Sequence, residues 1–89
     1  MPLYQIKRDV GHLSQEDMDA AALRAIVCAP QFPGLRWIRS YWDRERGSVD
    51  CVYEATSPQQ LQEHAATARI PCDDVRPVEE LVPDSYTHA

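Results

Sequence analysis

Eighty-nine residues suffice for one domain and are too few for two cores. A chain this short buries only about 60–65% of its unfolded surface, so association would add to a modest stability. The formal charge of −5 and a pI near 5.0 argue against nucleic acid or an anionic membrane as a general partner, since both need a basic footprint.

No stretch approaches the ~20 consecutive apolar residues of a membrane span. The start, Met1-Pro2-Leu3-Tyr4-Gln5-Ile6-Lys7-Arg8, lacks the basic-then-apolar order of a signal peptide. Cys28, Cys51 and Cys72 are odd in number and widely spaced, a poor disulfide framework. Reduced thiols in a cytoplasmic protein are the expectation.

In chain order, residues 3–8 alternate, with Tyr4 and Ile6 on one face, and predict a short strand. Asp9-Val10-Gly11-His12 is a turn. Ser14 then opens a helix, placed to cap the amide of Asp17 as in a capping box, with Leu13 and Met18 at staple spacing. Met18, Ala22, Ala25, Ile26 and Ala29 recur at helical intervals and predict its buried stripe. Pro30 and Pro33 end it, because proline cannot donate the backbone bond that a helix interior requires.

A second strand is predicted over about 35–42. Simple alternation puts Leu35, Trp37 and Tyr41 on one face and Ile38 and Trp42 on the other, so each side needs a cover. Residues 43–48 read as a polar hairpin turn and 49–55 as a third strand. Ser57 is the expected cap of a second helix, with Pro58 at its first position, Gln60 as box partner, and Thr56 and Leu61 bracketing the start. Leu61, Ala65 and Ala68 form its inner stripe, Ile70-Pro71 stops it, and a fourth strand follows at about 74–82. The segment from about residue 84, including His88, is expected to be loosely held.

The order β-α-β-β-α-β is the split, ferredoxin-like α+β arrangement. It predicts a single domain over residues 1–89 with a four-stranded antiparallel sheet and both helices on one face. The other face is bare. With tryptophan and tyrosine available on strand two, it would expose an apolar patch too large for a comfortable monomer, and face-to-face homodimerisation is the expected cover. Arg36, Arg39, Arg44 and Arg46 gather in one stretch, and Asp73, Asp74, Glu79, Glu80 and Asp84 crowd the C-terminal end. These are either two solvated faces or complementary surfaces between protomers.

Chemistry concentrates on Cys51, Glu54 and His64. Side chains alternate along a strand, so Cys51 and Tyr53 share one side and Val52 and Glu54 the other. His64 borders the inner stripe of its helix. If Cys51 faces the helices, a Cys51–His64 contact is geometrically reasonable, and thiolate and imidazole are good ligands for nickel, zinc or copper. A dimer interface, Glu54, Glu63 or His12 would have to complete such a site. The plainer reading makes Cys51 a small buried hydrophobe and His64 a residue bonded to backbone or water. A Cys/His nucleophile pair would need an orienting group and an oxyanion donor, and no recognisable catalytic motif supplies them.

Arg39 and Tyr41 form a second candidate, holding a small organic ligand on the open sheet face or pairing across strands with Glu54. Cys28 reads as packing, Cys72 as a loop cysteine or spare soft ligand, and His12 as a turn histidine.

The runs Trp37-Ile38-Arg39-Ser40-Tyr41, Cys51-Val52-Tyr53-Glu54-Ala55, Glu63-His64 and Ile70-Pro71, with Val75 and Val78, resemble a family of small ferredoxin-like bacterial domains, formerly of unknown function, that includes a nickel-binding protein. The likeness runs from Tyr4 to about Pro83. It implies a ferredoxin-like sandwich, a homodimer, and nickel (or another transition metal such as zinc) as ligand, with Cys51, His64 and Glu54 the residues it carries over. This chain departs from the family at Arg69, where glycine is usual before the Ile-Pro step, and at Ile70, where the nickel-binding member places a histidine. Storage or buffering of a transition metal is the leading expectation. Binding or slow transformation of a small organic molecule in a pocket on the open face is the alternative.

Overall fold

A computed structural model describes residues 2–87 of the chain. Strand β1 (Leu3–Asp9) leads to helix α1 (Gln15–Cys28) and a 3-10 turn over Ala29–Gln31; β2 (Arg36–Asp43) and β3 (Ser48–Glu54) form a hairpin; α2 (Pro58–Ala68), β4 (Asp74–Val78) and a short α3 (Asp84–Thr87) complete the chain. The strands lie in the order β2-β3-β1-β4, and every pairing is antiparallel. This is the expected ferredoxin-like α+β sandwich, with the core between the sheet and the helices.

The local signals act as the sequence indicates. Ser14 Oγ accepts the Asp17 amide at 3.1 Å and Ser57 Oγ the Gln60 amide at 3.2 Å, each satisfying a donor that a helix start leaves free. Gln60 reaches one residue further back than a standard box: its Oε1 accepts from the Thr56 amide at 2.9 Å. Helix α2 stops at Arg69, which occupies the left-handed region (φ 59°, ψ 49°) where glycine is ordinarily favoured. Here a residue with a Cβ takes that backbone geometry at a cost of about 1–2 kcal/mol.

Three expectations need correction. Strand β2 does not alternate simply: the register with β3 slips between Trp37 and Arg39. A bulge inserts an unpaired residue and reverses the facing of everything beyond it. Trp37 and Trp42 therefore pair with Tyr53 and Val49 on the helix side, while Arg39 and Tyr41 stand on the open face. The open face thus lacks the tryptophan that motivated a large apolar patch, and carries Lys7, Arg36, Arg39, Asp50, Glu54, Asp74 and Arg76 beside Tyr41 and Val52.

The stripe of α1 is thinner than expected: only Ala25 is buried, and Ile26 is exposed. Strand β4 ends at Val78 rather than near residue 82. Residues 84–87 form a short α3, fully on the surface; His88 lies outside the described residues.

The core consists of Tyr4, Ile6, Val49, Cys51, Tyr53, Ala55 and Leu61, with Leu35, Trp37, Trp42 and Val75 packed against it. Among the described residues, the buried polar or charged ones are Arg8 and His64.

Candidate functional site

The alternation of β1 that sends Tyr4 and Ile6 inward sends Arg8 inward as well, and it is only 4% exposed. Its Nε donates to Cys51 Sγ at 3.3 Å and its Nη1 to the Pro71 carbonyl. Its Nη2 finds no partner among the described residues. The guanidinium lies 5.8 Å from the centre of the Tyr53 ring, close enough for a cation–π contact. None of the ion pairs among the described residues includes Arg8. A buried cation without a carboxylate is an unusual thing for a fold to keep, because removing the charge from water is costly unless it is paired.

Beside Arg8, a relay of donors converges on Cys51. Trp37 Nε1 donates to Ser40 Oγ at 2.8 Å, and the Ser40 hydroxyl donates to Cys51 Sγ at 2.9 Å. The bulge in β2 makes this arrangement: by reversing the parity beyond Trp37 it brings Ser40 opposite Cys51 on the inner face. The Trp37 and Tyr53 rings stack alongside, 6.3 Å apart and 11° from parallel.

Above these groups is a cavity of about 390 Å³ between α1 and the sheet, with Arg8, Ser40, Cys51 and Tyr53 among its walls. Its roof is α1, whose sheet-side residues Ala21, Ala22 and Ala25 are too short to fill the gap between layers. The volume lies within the about 300–1,000 Å³ typical of small-molecule sites, and so does the chemistry, apolar walls with a few convergent polar groups. A smaller hollow of about 230 Å³ lies on the open face, lined by Gln5, Lys7, Asp50, Asp74, Arg76 and Val78. Neither Arg39 nor Tyr41 lines either hollow.

Burial sets the protonation of the inner groups. The Tyr53 phenol is pushed up to about 12 by desolvation, with the Arg8 charge opposing, so it remains a donor at neutral pH. Burial pushes the Cys72 thiol up against the same arginine. His64 is lowered by burial, a shift that its bond to Ala25 opposes and Arg8 adds to.

The sequence-predicted residues separate. Cys51 faces the helix layer and is buried. His64 is also fully buried; its Nε2 donates to the Ala25 carbonyl at 2.9 Å, which leaves Nδ1 as a lone pair without a partner. Its ring sits between Phe32 and Tyr53, at 5.6 and 5.8 Å. Glu54 stands on the opposite face, paired with Arg36. Arg39 pairs with Glu80 at 3.1 Å, and Tyr41 is 64% exposed. His12 and Glu63 are exposed, and all three cysteines are free thiols.

Among the described residues no group of three or more His, Cys, Asp or Glu side chains could hold a metal ion. The His64 lone pair is a fitting donor in isolation, but aromatic carbon flanks it, and one chain does not assemble a nickel or zinc site from Cys51, His64 and Glu54. No described helix is long and apolar enough to cross a membrane.

Sequence reasoning missed Arg8 and Ser40. Arg8 did carry a signal: it continues the inward parity of Tyr4 and Ile6. Ser40 carried none, because its facing depends on the bulge.

The sheet order and helix placement define a small α+β domain of ferredoxin-like topology, roofed so that a cavity remains over an inward-facing arginine. Residues 4–78 match the family described as "Nickel responsive protein SCO4226-like", and the chain belongs to that family. No curated protein matches it. Among solved structures it resembles the crystal structure of SCO4226 from Streptomyces coelicolor A3(2), with a TM-score of 0.79 and 14% identity over 90% of this chain and 99% of that one. At that identity the likeness speaks to the fold.

Proposed function

We propose that the chain is a small-molecule-binding domain whose ligand sits in the cavity beneath α1. The observation that carries this reading is the cavity itself: about 390 Å³, lined mostly by apolar side chains, with Arg8, Ser40, Cys51 and Tyr53 converging on it.

The test is a thermal-shift screen of small organic molecules against the parent protein and an Ala22→Leu variant, in which the added side chain enters the cavity from its roof. Compounds that raise the melting temperature of the parent should lose their effect in the variant. A screen without stabilising compounds, or compounds that act equally on both proteins, would overturn the reading.

Membership of a nickel-responsive family supports a second reading, in which the protein binds nickel or a related transition metal and buffers it in the cytoplasm. Cys51 and His64, both on the helix side of the sheet, are the proposed ligands, and Glu54, on the other side, would belong to a separate site. Calorimetric titration of the reduced protein with nickel, then zinc, tests this. Binding should be lost in a Cys51→Ala/His64→Ala variant and weaken as the pH falls, because protons compete for thiolate and imidazole. Homodimerisation through the open sheet face is a separate proposal. Its support is exposed Tyr41 among alternating charges, and sedimentation equilibrium across a dilution series checks it.

A further inference from the structure

Arg8 gives the cavity a chemical preference that its volume alone does not. We propose that the cavity takes a small amphiphilic monocarboxylate, anchored at the Arg8 guanidinium with its apolar part against the roof and walls; this rests on the small-molecule reading above.

Three observations converge. Arg8 is a permanent cation, since guanidinium does not deprotonate in proteins, and it is 96% removed from solvent with no carboxylate among the described residues paired to it. A cationic ligand would meet like charge in a desolvated space, and a neutral one would leave the charge uncompensated. An anion supplies the missing partner, and guanidinium is shaped to receive a carboxylate.

The second observation concerns how many donors are free. Nε is committed to Cys51 Sγ and Nη1 to the Pro71 carbonyl, while Nη2 has no partner. The unpartnered Nη2, with the protonated Tyr53 phenol nearby, suits a singly charged group. A phosphate would bring more negative charge than the single Arg8 cation neutralises.

The third is the lining. Val10, Leu13, Met18, Ala22, Val49 and Ile70 all contribute to it, so the rest of the ligand must be apolar. The other charged groups at the cavity are Asp9, Asp17, Arg24 and Arg69. Asp9, Asp17 and Arg69 are exposed and screened by water, and Arg24 is bonded to the Ala68 and Arg69 carbonyls. None of them neutralises Arg8. The chain as a whole is acidic, so an anion would be drawn by this one buried charge and not by the overall field.

The experiment compares octanoate with octanamide, equal in chain length and differing in charge, by calorimetry on the parent protein, Arg8→Met, Arg8→Lys and Ala22→Leu. Inorganic phosphate serves as competitor. Octanoate should bind the parent at least about tenfold more tightly than octanamide, the advantage expected of one charge-assisted bond. Arg8→Met should abolish that preference while keeping octanamide binding, Arg8→Lys should retain part of it, and Ala22→Leu should weaken both ligands.

Equal affinity for octanoate and octanamide in the parent would overturn the carboxylate inference and leave the cavity reading standing. Displacement by phosphate as effective as by octanoate would overturn it too, by making the site one for simple anions. If neither amphiphile binds while other screened compounds do, the carboxylate inference falls alone; if nothing binds, both fall. The parent-protein comparison decides these outcomes even if Arg8→Met does not fold.

Discussion

On the face of the sheet turned away from the helices, Arg36 meets Glu54, Arg39 meets Glu80 and Arg76 meets Asp74. On the face turned toward them, Arg8 meets no carboxylate among the described residues. The outer arginines are solvated, and their partners are cheap to supply because water already screens the charge. The inner arginine sits where an unpaired charge costs most, and yet its Nη2 finds no partner among the described residues. A structural arginine would be expected to find its carboxylate within the chain. A buried arginine without one, at the wall of a cavity, is placed for a partner that arrives from outside.

The same two faces carry a matched pair of tyrosines, and these give the largest expected contrast. Tyr53 is 1% exposed and Tyr41 64%. Tyr53→Ala should lower unfolding stability by about 3–5 kcal/mol, as for a large buried aromatic, while Tyr41→Ala should stay within about 0.5 kcal/mol. Urea unfolding measures both. A sizeable loss at Tyr41 that disappears on dilution would break the comparison, showing the open face covered by a second copy.

Next comes the pH response of the inner face. His64 is buried with its folded-state pKa lowered. Below the unfolded value of about 6.5 the unfolded chain takes up a proton that the folded one refuses. Stability is therefore fully present above about pH 6.5 and declines as the pH falls from there toward the lowered folded value, with a slope of at most about 1.4 kcal/mol per pH unit. His64→Gln should flatten that slope between pH 6.5 and 5 in urea titrations. An unchanged slope would assign the acid sensitivity elsewhere.

Most of the architecture could be read from sequence because local chemistry sets it. Ser14 and Ser57 cap the helices they were expected to cap, the polar run 43–48 turns the hairpin, and Leu61, Ala65 and Ala68 face inward. The parts that escaped depend on relations between elements. The bulge after Trp37 arises from how β2 pairs with β3, so the facing of Ser40, Tyr41 and Trp42 could not be found by counting along β2. The alanines of α1 were visible as a stripe, but the height at which the helix rides above the sheet, and hence the cavity, is a property of the packed whole. Cys51, Glu54 and His64 looked like one constellation because they are close in sequence. Strand parity sends Glu54 to the other side.

A smaller effect belongs to the helix ends that hold the inner face in place. Ser57→Ala removes the acceptor for the Gln60 amide and should cost about 1 kcal/mol, read as a lowered urea midpoint with an unchanged slope. Because α2 carries both Leu61 and His64 into the core, a larger loss would mean that the start of α2 also positions the inner face.

The smallest expected effect lies in the outer charge pairs. Arg36 and Glu54 are bonded to each other at the surface, with the arginine 69% exposed and the glutamate 23%. Glu54→Gln removes the negative partner while keeping the shape, and should cost under about 1 kcal/mol, less still at high salt. The same variant also probes chemistry. If Glu54 is only a surface partner, the substitution leaves both nickel affinity and octanoate affinity where they were. A loss of nickel affinity with octanoate binding intact would place the metal on the open face, between copies of the chain and away from the cavity. A loss of octanoate affinity would connect two faces that the sheet separates, and the contrast drawn between them would no longer hold.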